Sequence, residues 1–206
     1  MLRPKTLRAG LFLGGLAWVV ATGAGLLAVH SYELTPGPTV EADRIWPAGS
    51  RLRFDPGRAN LVVVAHPRCP CTRASFEELS QLIDRSQVPL AIHVLFYQPR
   101  TARGRWGPED LHRRAAAIPG VEVLQDSGGE EAARFNAETS GSVLLYDRQR
   151  RLLFAGGITA ARGRTGDNLG LEAVIAHLSG STAQATAPVF GCSLRNLSDS
   201  PEEREK

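Results

Sequence analysis

Lysine is almost missing from this 206-residue chain: only Lys5 and Lys206 carry it, and arginine supplies the rest of the 24 basic residues. Cysteine is nearly as scarce, at three. That is too few for a small domain stapled by disulfides, and the odd number leaves at least one thiol without an intramolecular disulfide partner. A broad excess of charge is missing as well. The formal net charge is +3, but Arg3, Lys5 and Arg8 fall in the first eight residues, where no acid stands. The remaining 21 basic residues face 21 acidic ones. A body balanced in this way lacks the basic footprint of phosphate-backbone binding, which excludes a nucleic-acid partner. Internal repeats are absent too. What is present is enough apolar material (43% hydrophobic, 22% charged) to bury a core. The length holds one ordinary domain and roughly fifty residues more.

Those extra residues include a leader. Ala9 to Val29 runs 21 residues without a charge, and at about 1.5 Å per residue such a helix spans roughly 30 Å, the thickness of a bilayer core. A secretory signal peptide is the rival, although its apolar region is usually about 7–15 residues long and is followed by a small-residue cleavage site. Arg3, Lys5 and Arg8 precede the span, whereas Glu33, Glu41 and Asp43 follow it. The positive-inside rule then predicts residues 1–8 in the cytoplasm, an anchor over 9–29, and the body outside, which in a bacterium is the periplasmic side of the inner membrane. Disulfides persist there. Residues 30–58, with Pro36, Pro38, Pro47 and Pro56, read as a tether and entry segment.

The body alternates strands and helices. Asn60 to Ala65 carries an unbroken apolar run and Leu90 to Tyr97 is a second buried strand, the two expected to be parallel. Between them Thr72 to Ser86 places Phe76, Leu79, Leu82 and Ile83 at helical spacing, with Thr72 as a possible cap. Pro108 to Ala117 predicts a helix, Val121 to Leu124 a short strand, and Glu130 to Ala137 another helix. Ser142 to Tyr146 and Arg151 to Ala155 form a hairpin about the turn 147–150. Asp167 or Asn168 caps a final helix closed by Gly180.

The chemical signal is His66-Pro67-Arg68-Cys69-Pro70-Cys71. Cys69 and Cys71 fall between a strand end and a helix N-terminus, where unpaired N–H groups and the macrodipole stabilise a thiolate. Two thiols in that setting form either a redox-active pair or a soft-metal site. His66 is the nearest titratable side chain, suited to tuning a thiol or ligating metal, or to a structural role at the strand end. If Ser142–Tyr146 runs antiparallel to the first strand, Gly141, Gly156 and Gly157 frame the cysteines and let a partner backbone approach. Cys192 can return to the pair, because residues 181–191 span roughly 35 Å when extended; it then resolves a disulfide, ligates metal, or packs as an inert thiol. His93 reads as a core histidine, and Arg162 and Arg164 as a solvated loop.

These residues resemble the thioredoxin-like superfamily. The stretches 120–126, 130–139 and 143–152 resemble the insertion and hairpin of its membrane-anchored TlpA/ResA-like branch. The His-Pro-Arg-Cys-Pro-Cys segment, Gly156-Gly157-Ile158-Thr159 and Phe190-Gly191-Cys192 are more narrowly similar to bacterial RedB-type proteins. The resemblance implies an α/β fold, three-layer α/β/α with a central mixed sheet over residues 59–180, preceded by one transmembrane helix and followed by an extension over 181–206. It also implies thiol–disulfide exchange with a protein partner in the periplasm and no cofactor.

Three departures qualify what the resemblance carries over. Cys-Pro-Cys replaces the family's Cys-x-x-Cys. Thr139-Ser140-Gly141-Ser142 stands where the family keeps a cis-proline, and the loss of that proline makes metal binding easier. Leu61–Ala65 lacks the family's buried acid, so His66 has to substitute for it. The leading expectation is therefore an oxidoreductase with Cys69 as exposed attacking thiol, Cys71 as resolving thiol and His66 as tuning group. A disulfide across a two-residue spacing departs from relaxed geometry and is readily reduced, which suits a disulfide donor or isomerase. The alternatives are copper(I) binding by Cys69, Cys71 and Cys192 or His66, and a non-catalytic assembly module.

Overall fold

The computed structural model describes residues 4–38, 42–102, 104 and 106–194. Arg3, Glu41 and the charged tail beyond Leu194 lie outside the described residues, as do the side chains of Lys5 and Arg8. The chain divides into two units, Met1–Thr35 and Pro36–Lys206.

The first unit is one helix, α1 (Pro4–Leu34). Its apolar stretch Gly10–Leu34 is long enough to cross a membrane and none of it is buried. Leu11, Phe12, Leu13, Trp18, Leu26 and Leu27 are exposed around the whole circumference rather than along one stripe, which is the pattern of a helix meant for apolar surroundings. Length and composition fit a membrane span and a signal sequence alike.

The second unit is built on β1 (Ala59–Ala65), α2 (Cys71–Arg85), β2 (Leu90–Gln98), α3 (Glu109–Ala117), β3 (Val121–Ser127), α4 (Glu130–Arg134), β4 (Ser142–Tyr146), β5 (Leu152–Gly157) and α5 (Leu169–Leu178). The five strands lie in the order β3-β2-β1-β4-β5. β1 runs parallel to β2 and β2 parallel to β3, whereas β4 is antiparallel to both β1 and β5. Strand alternation divides the apolar runs between two cores. Leu61, Val63 and Ala65 enter one core with Phe76, Leu79 and Leu82 of α2, Leu111 of α3 and Val174 of α5. Val62 and Val64 enter the other, with Trp46, Tyr97, Phe135 and Tyr146. A sheet covered on both faces explains why β1 and β2 contain no alternating polar positions. Parallel β-α-β, an antiparallel hairpin and helical cover on both faces constitute a thioredoxin-like α/β fold.

Several expectations change. Thr72 does not cap α2. Pro70 holds that position without a side-chain cap, and the Thr72 hydroxyl inside the first turn donates to the His66 carbonyl at 2.8 Å. β3 extends to Ser127 and α4 stops at Arg134; the Asp126 carboxylate at the strand end accepts the Glu131 and Ala132 N–H groups at 2.8 and 2.9 Å and starts the helix.

Within residues 42–58, expected as tether and entry segment, Trp46 and Leu52 are buried in the second core. Trp46 is 3% exposed, edge-on to Phe135 and Tyr146, and backbone bonds join Trp46 to Arg150 and Leu152 to Arg44. Burial of that indole outweighs the proline-rich composition around it. Residues 181–194 are likewise part of the body up to Leu194, with Val189 and Leu194 buried in the second core.

Candidate redox site

The site forms where β1 hands over to α2. Cys69 N–H donates to the His66 carbonyl at 2.9 Å and Thr72 N–H to the Cys69 carbonyl at 3.1 Å, so the chain turns tightly and sets Cys69 just before the helix. Ser140 locks the same corner from the other side: its hydroxyl accepts the His66 N–H at 2.9 Å and lies 3.2 Å from the Thr72 hydroxyl. Gly141, with φ +90°, donates its N–H to the Val64 carbonyl at 2.7 Å. A residue with a Cβ is strained in that conformation, which accounts for glycine just before β4. No cis peptide occurs among the described residues.

Cys192 does return. Its Sγ lies 3.1 Å from that of Cys69, and its carbonyl accepts the Ser140 N–H at 2.8 Å. The expected exposure is reversed. Cys69 is 3% exposed and Cys71 4%, while Cys192 is half-buried and the most accessible of the three. Hydrogen bonds from Cys192 first and Cys71 second hold the Cys69 thiol far below the usual thiol range. Hydrogen bonds to Cys192 and then to Cys69 push Cys71 up, and the bond to Cys69 pushes Cys192 up. One thiolate on Cys69, flanked by two protonated thiols, is the chemical state this arrangement favours, and the N-terminus of α2 adds to it.

His66 is brought to the corner, where it meets Arg68, Tyr97 and Trp106. Its Nδ1 accepts the Arg68 N–H at 3.2 Å, and its ring stacks on Tyr97 at 5.4 Å and meets the edge of Trp106 at 5.3 Å. Arg68 in turn lies over Trp106, 4.4 Å from the ring centre. The interactions that shift Cys69 come from the other cysteines. Gly156 and Gly157 do not form an open rim either: Ala187 and Pro188 of the same chain occupy the space above them. Arg162, read as solvated, donates to the Gly191 carbonyl. Asn168, not Asp167, caps α5 by accepting the Leu171 N–H at 2.8 Å. His93 is a core histidine with its Nδ1 3.0 Å from Glu122.

Sequence reasoning missed Ser140 and the Arg162–Gly191 contact. The usable signal for the second was Gly191 itself, a glycine immediately before a rare cysteine. Among the described residues no group of three or more His, Cys, Asp or Glu side chains is placed to hold a metal ion.

The chain thus has a thioredoxin-like α/β fold with its three cysteines gathered at the β1–α2 corner. No family model and no curated protein matches the chain. Among solved structures it is similar to a hypothetical protein from Sinorhizobium meliloti, with 25% identity and a TM-score of 0.52 over 78% of this chain and 94% of that one. It is similar in fold to an uncharacterized conserved protein from Geobacillus kaustophilus, with 17% identity and a TM-score of 0.55 over 79% and 93% of the two chains. A looser likeness, at 12% identity and a TM-score of 0.41 over 60% and 82%, is to a secreted Mycobacterium tuberculosis disulfide oxidoreductase.

Proposed function

We propose that this chain is a membrane-anchored thiol–disulfide oxidoreductase whose reacting atom is the Cys69 sulfur. One observation carries the reading: a thiolate-favouring Cys69 with a second thiol 3.1 Å away. Both halves of an exchange reaction are therefore in contact. The Cys69 thiolate attacks one sulfur of a partner disulfide, forming a mixed disulfide and expelling the other sulfur as a thiolate that takes a proton. A second cysteine of the cluster attacks Cys69, closes an internal disulfide and releases the partner's remaining thiol. Run backwards, the same steps oxidise a dithiol partner. Sulfur supplies both electrons, so no cofactor enters.

The anchor in this reading is α1, with the basic N-terminus inside and the domain on the periplasmic side, where an internal disulfide can persist. The Cys-Pro-Cys spacing and the Phe190-Gly191-Cys192 ending keep the RedB-type resemblance within this reading.

A redox titration of the detergent-solubilised chain, with free thiols counted at each potential, tests the reaction. The expected result is a two-electron couple that consumes Cys69 and one other thiol. Three free thiols at every potential would falsify the proposal.

A further inference from the structure

Residues 185–194 run along the edge of β5 and across the segment before β4, and bring Cys192 against Cys69. Ala185 accepts the Ala155 N–H at 2.9 Å, and Thr186 bridges Ala155 at the outer edge of β5. Val189 accepts the Gly37 N–H at 2.8 Å. Residues 192–194 then pair antiparallel with the segment before β4: Ser140 N–H donates to Cys192, Thr139 bridges Ser193, and Leu194 N–H donates to Glu138 at 2.8 Å. These are backbone bonds, the same for any extended chain of any sequence. The side-chain requirements are few. A Cβ on Gly191 would run into the Ser140 carbonyl, so only glycine fits directly before Cys192. Arg162 clasps the Gly191 carbonyl. Beside Pro188 and Phe190 lies a cavity of about 280 Å³, lined from the other side by Gly157, Thr159 and Ala160. With this segment seated, Cys69 is 3% exposed and its sulfur has that of Cys192 3.1 Å away.

We propose that residues 185–194 are a displaceable strap that occupies the partner's groove in cis, and that Cys192, not Cys71, resolves the mixed disulfide at Cys69. The inference rests on the oxidoreductase reading above. It assigns the partner class as an extended polypeptide segment with a glycine or similarly small residue before its cysteine. The partner displaces the strap, and the Cys69 thiolate attacks its disulfide; the expelled sulfur leaves with the electron pair and takes a proton. The strap returns, Cys192 gives up its proton to solvent, and its sulfur attacks Cys69. The mixed disulfide breaks, the partner's second sulfur leaves as a thiolate and is protonated, and the Cys69–Cys192 disulfide remains. The partner gains two electrons and the chain loses two. Reseating the strap refills the groove and drives product out. Cys71 is ill-placed for this step, since a disulfide to Cys69 would close a strained ring across one intervening residue.

The test uses the full chain in detergent, with glutathione disulfide as probe and mass spectrometry of each cysteine as readout. Cys192→Ser is expected to accumulate glutathione on Cys69 in several-fold excess over both the wild type and Cys71→Ser. Accumulation in Cys71→Ser instead, with Cys192→Ser clearing its adduct, overturns the inference and leaves the oxidoreductase reading standing. Absence of both adduct and internal disulfide in every chain overturns the reading itself. For the strap, iodoacetamide should label Cys69 several-fold faster in Gly191→Val, and faster, by a smaller factor, in Arg162→Ala. Unchanged labelling in both variants overturns the strap.

Discussion

The Cys69 and Cys192 sulfurs lie 3.1 Å apart although 123 positions of sequence separate them. A disulfide bond is about 2.0 Å long, so closing it needs a movement of only about 1 Å. Mild oxidation is therefore expected to join these two residues, and peptide mapping should recover that pair. A disulfide typically raises stability by about 2–4 kcal/mol. For a domain of this size that is roughly 5–15 °C in Tm. Equal melting of the oxidised and reduced chain would count against a native cross-link.

The same contact governs protonation. Cys192 is the largest cause of the depressed Cys69 thiol. A lowered pKa means that the thiolate persists as pH falls below the ordinary value of 9.0. Thiolate absorbance in the ultraviolet should survive well into acid in the wild type. In Cys192→Ala its midpoint should move up toward the ordinary value, and a midpoint that stays put would show that another group sets it.

His93 predicts the acid side of the stability profile. Burial holds its pKa below the ordinary 6.5, against the pull of Glu122. The folded state therefore favours the neutral ring, a contribution fully present above about pH 6.5 and lost as pH falls toward the folded value. Urea midpoints should drop over that window in the wild type. The drop should be shallower in His93→Gln; parallel curves would remove His93 as the cause.

Trp46 tests where the domain begins. Truncating a buried aromatic of this kind costs about 3–5 kcal/mol. Trp46→Ala should lower the urea midpoint accordingly. An effect below about 0.5 kcal/mol, the range of ordinary surface changes, would return residues 42–58 to the status of a tether.

Much of the body is legible in the chain. Leu61–Ala65 and Leu90–Tyr97 announce strands covered on both faces because nearly every position along them is apolar, His93 excepted, and β4 is read to its end residues. An antiparallel β4 beside β1 was only a condition in the sequence, and the register of Leu61 against Leu145 and Val63 against Val143 meets it. Trp46 and Leu52 escaped notice because prolines dominate their neighbourhood, and a single buried indole leaves no periodic trace. The Cys69-Pro70-Cys71 signal was visible, as was its place at a strand-to-helix turn.

Sequence by itself determined the apolar leader, the neutral body, the thioredoxin-like order of elements and the corner at which sulfur chemistry is possible. These follow from residue type, spacing and periodicity, which act locally along the chain. Which sulfurs touch, only the tertiary structure decided. The eleven residues before Cys192 can reach many places at little difference in loop entropy. Backbone pairing with residues 138–140 and with Ala155, together with burial of Val189 and Leu194, selects one of them. That choice sets Cys192 against Cys69, closes the space above Gly156 and Gly157, and buries the thiol that the sequence had led one to expect in the open.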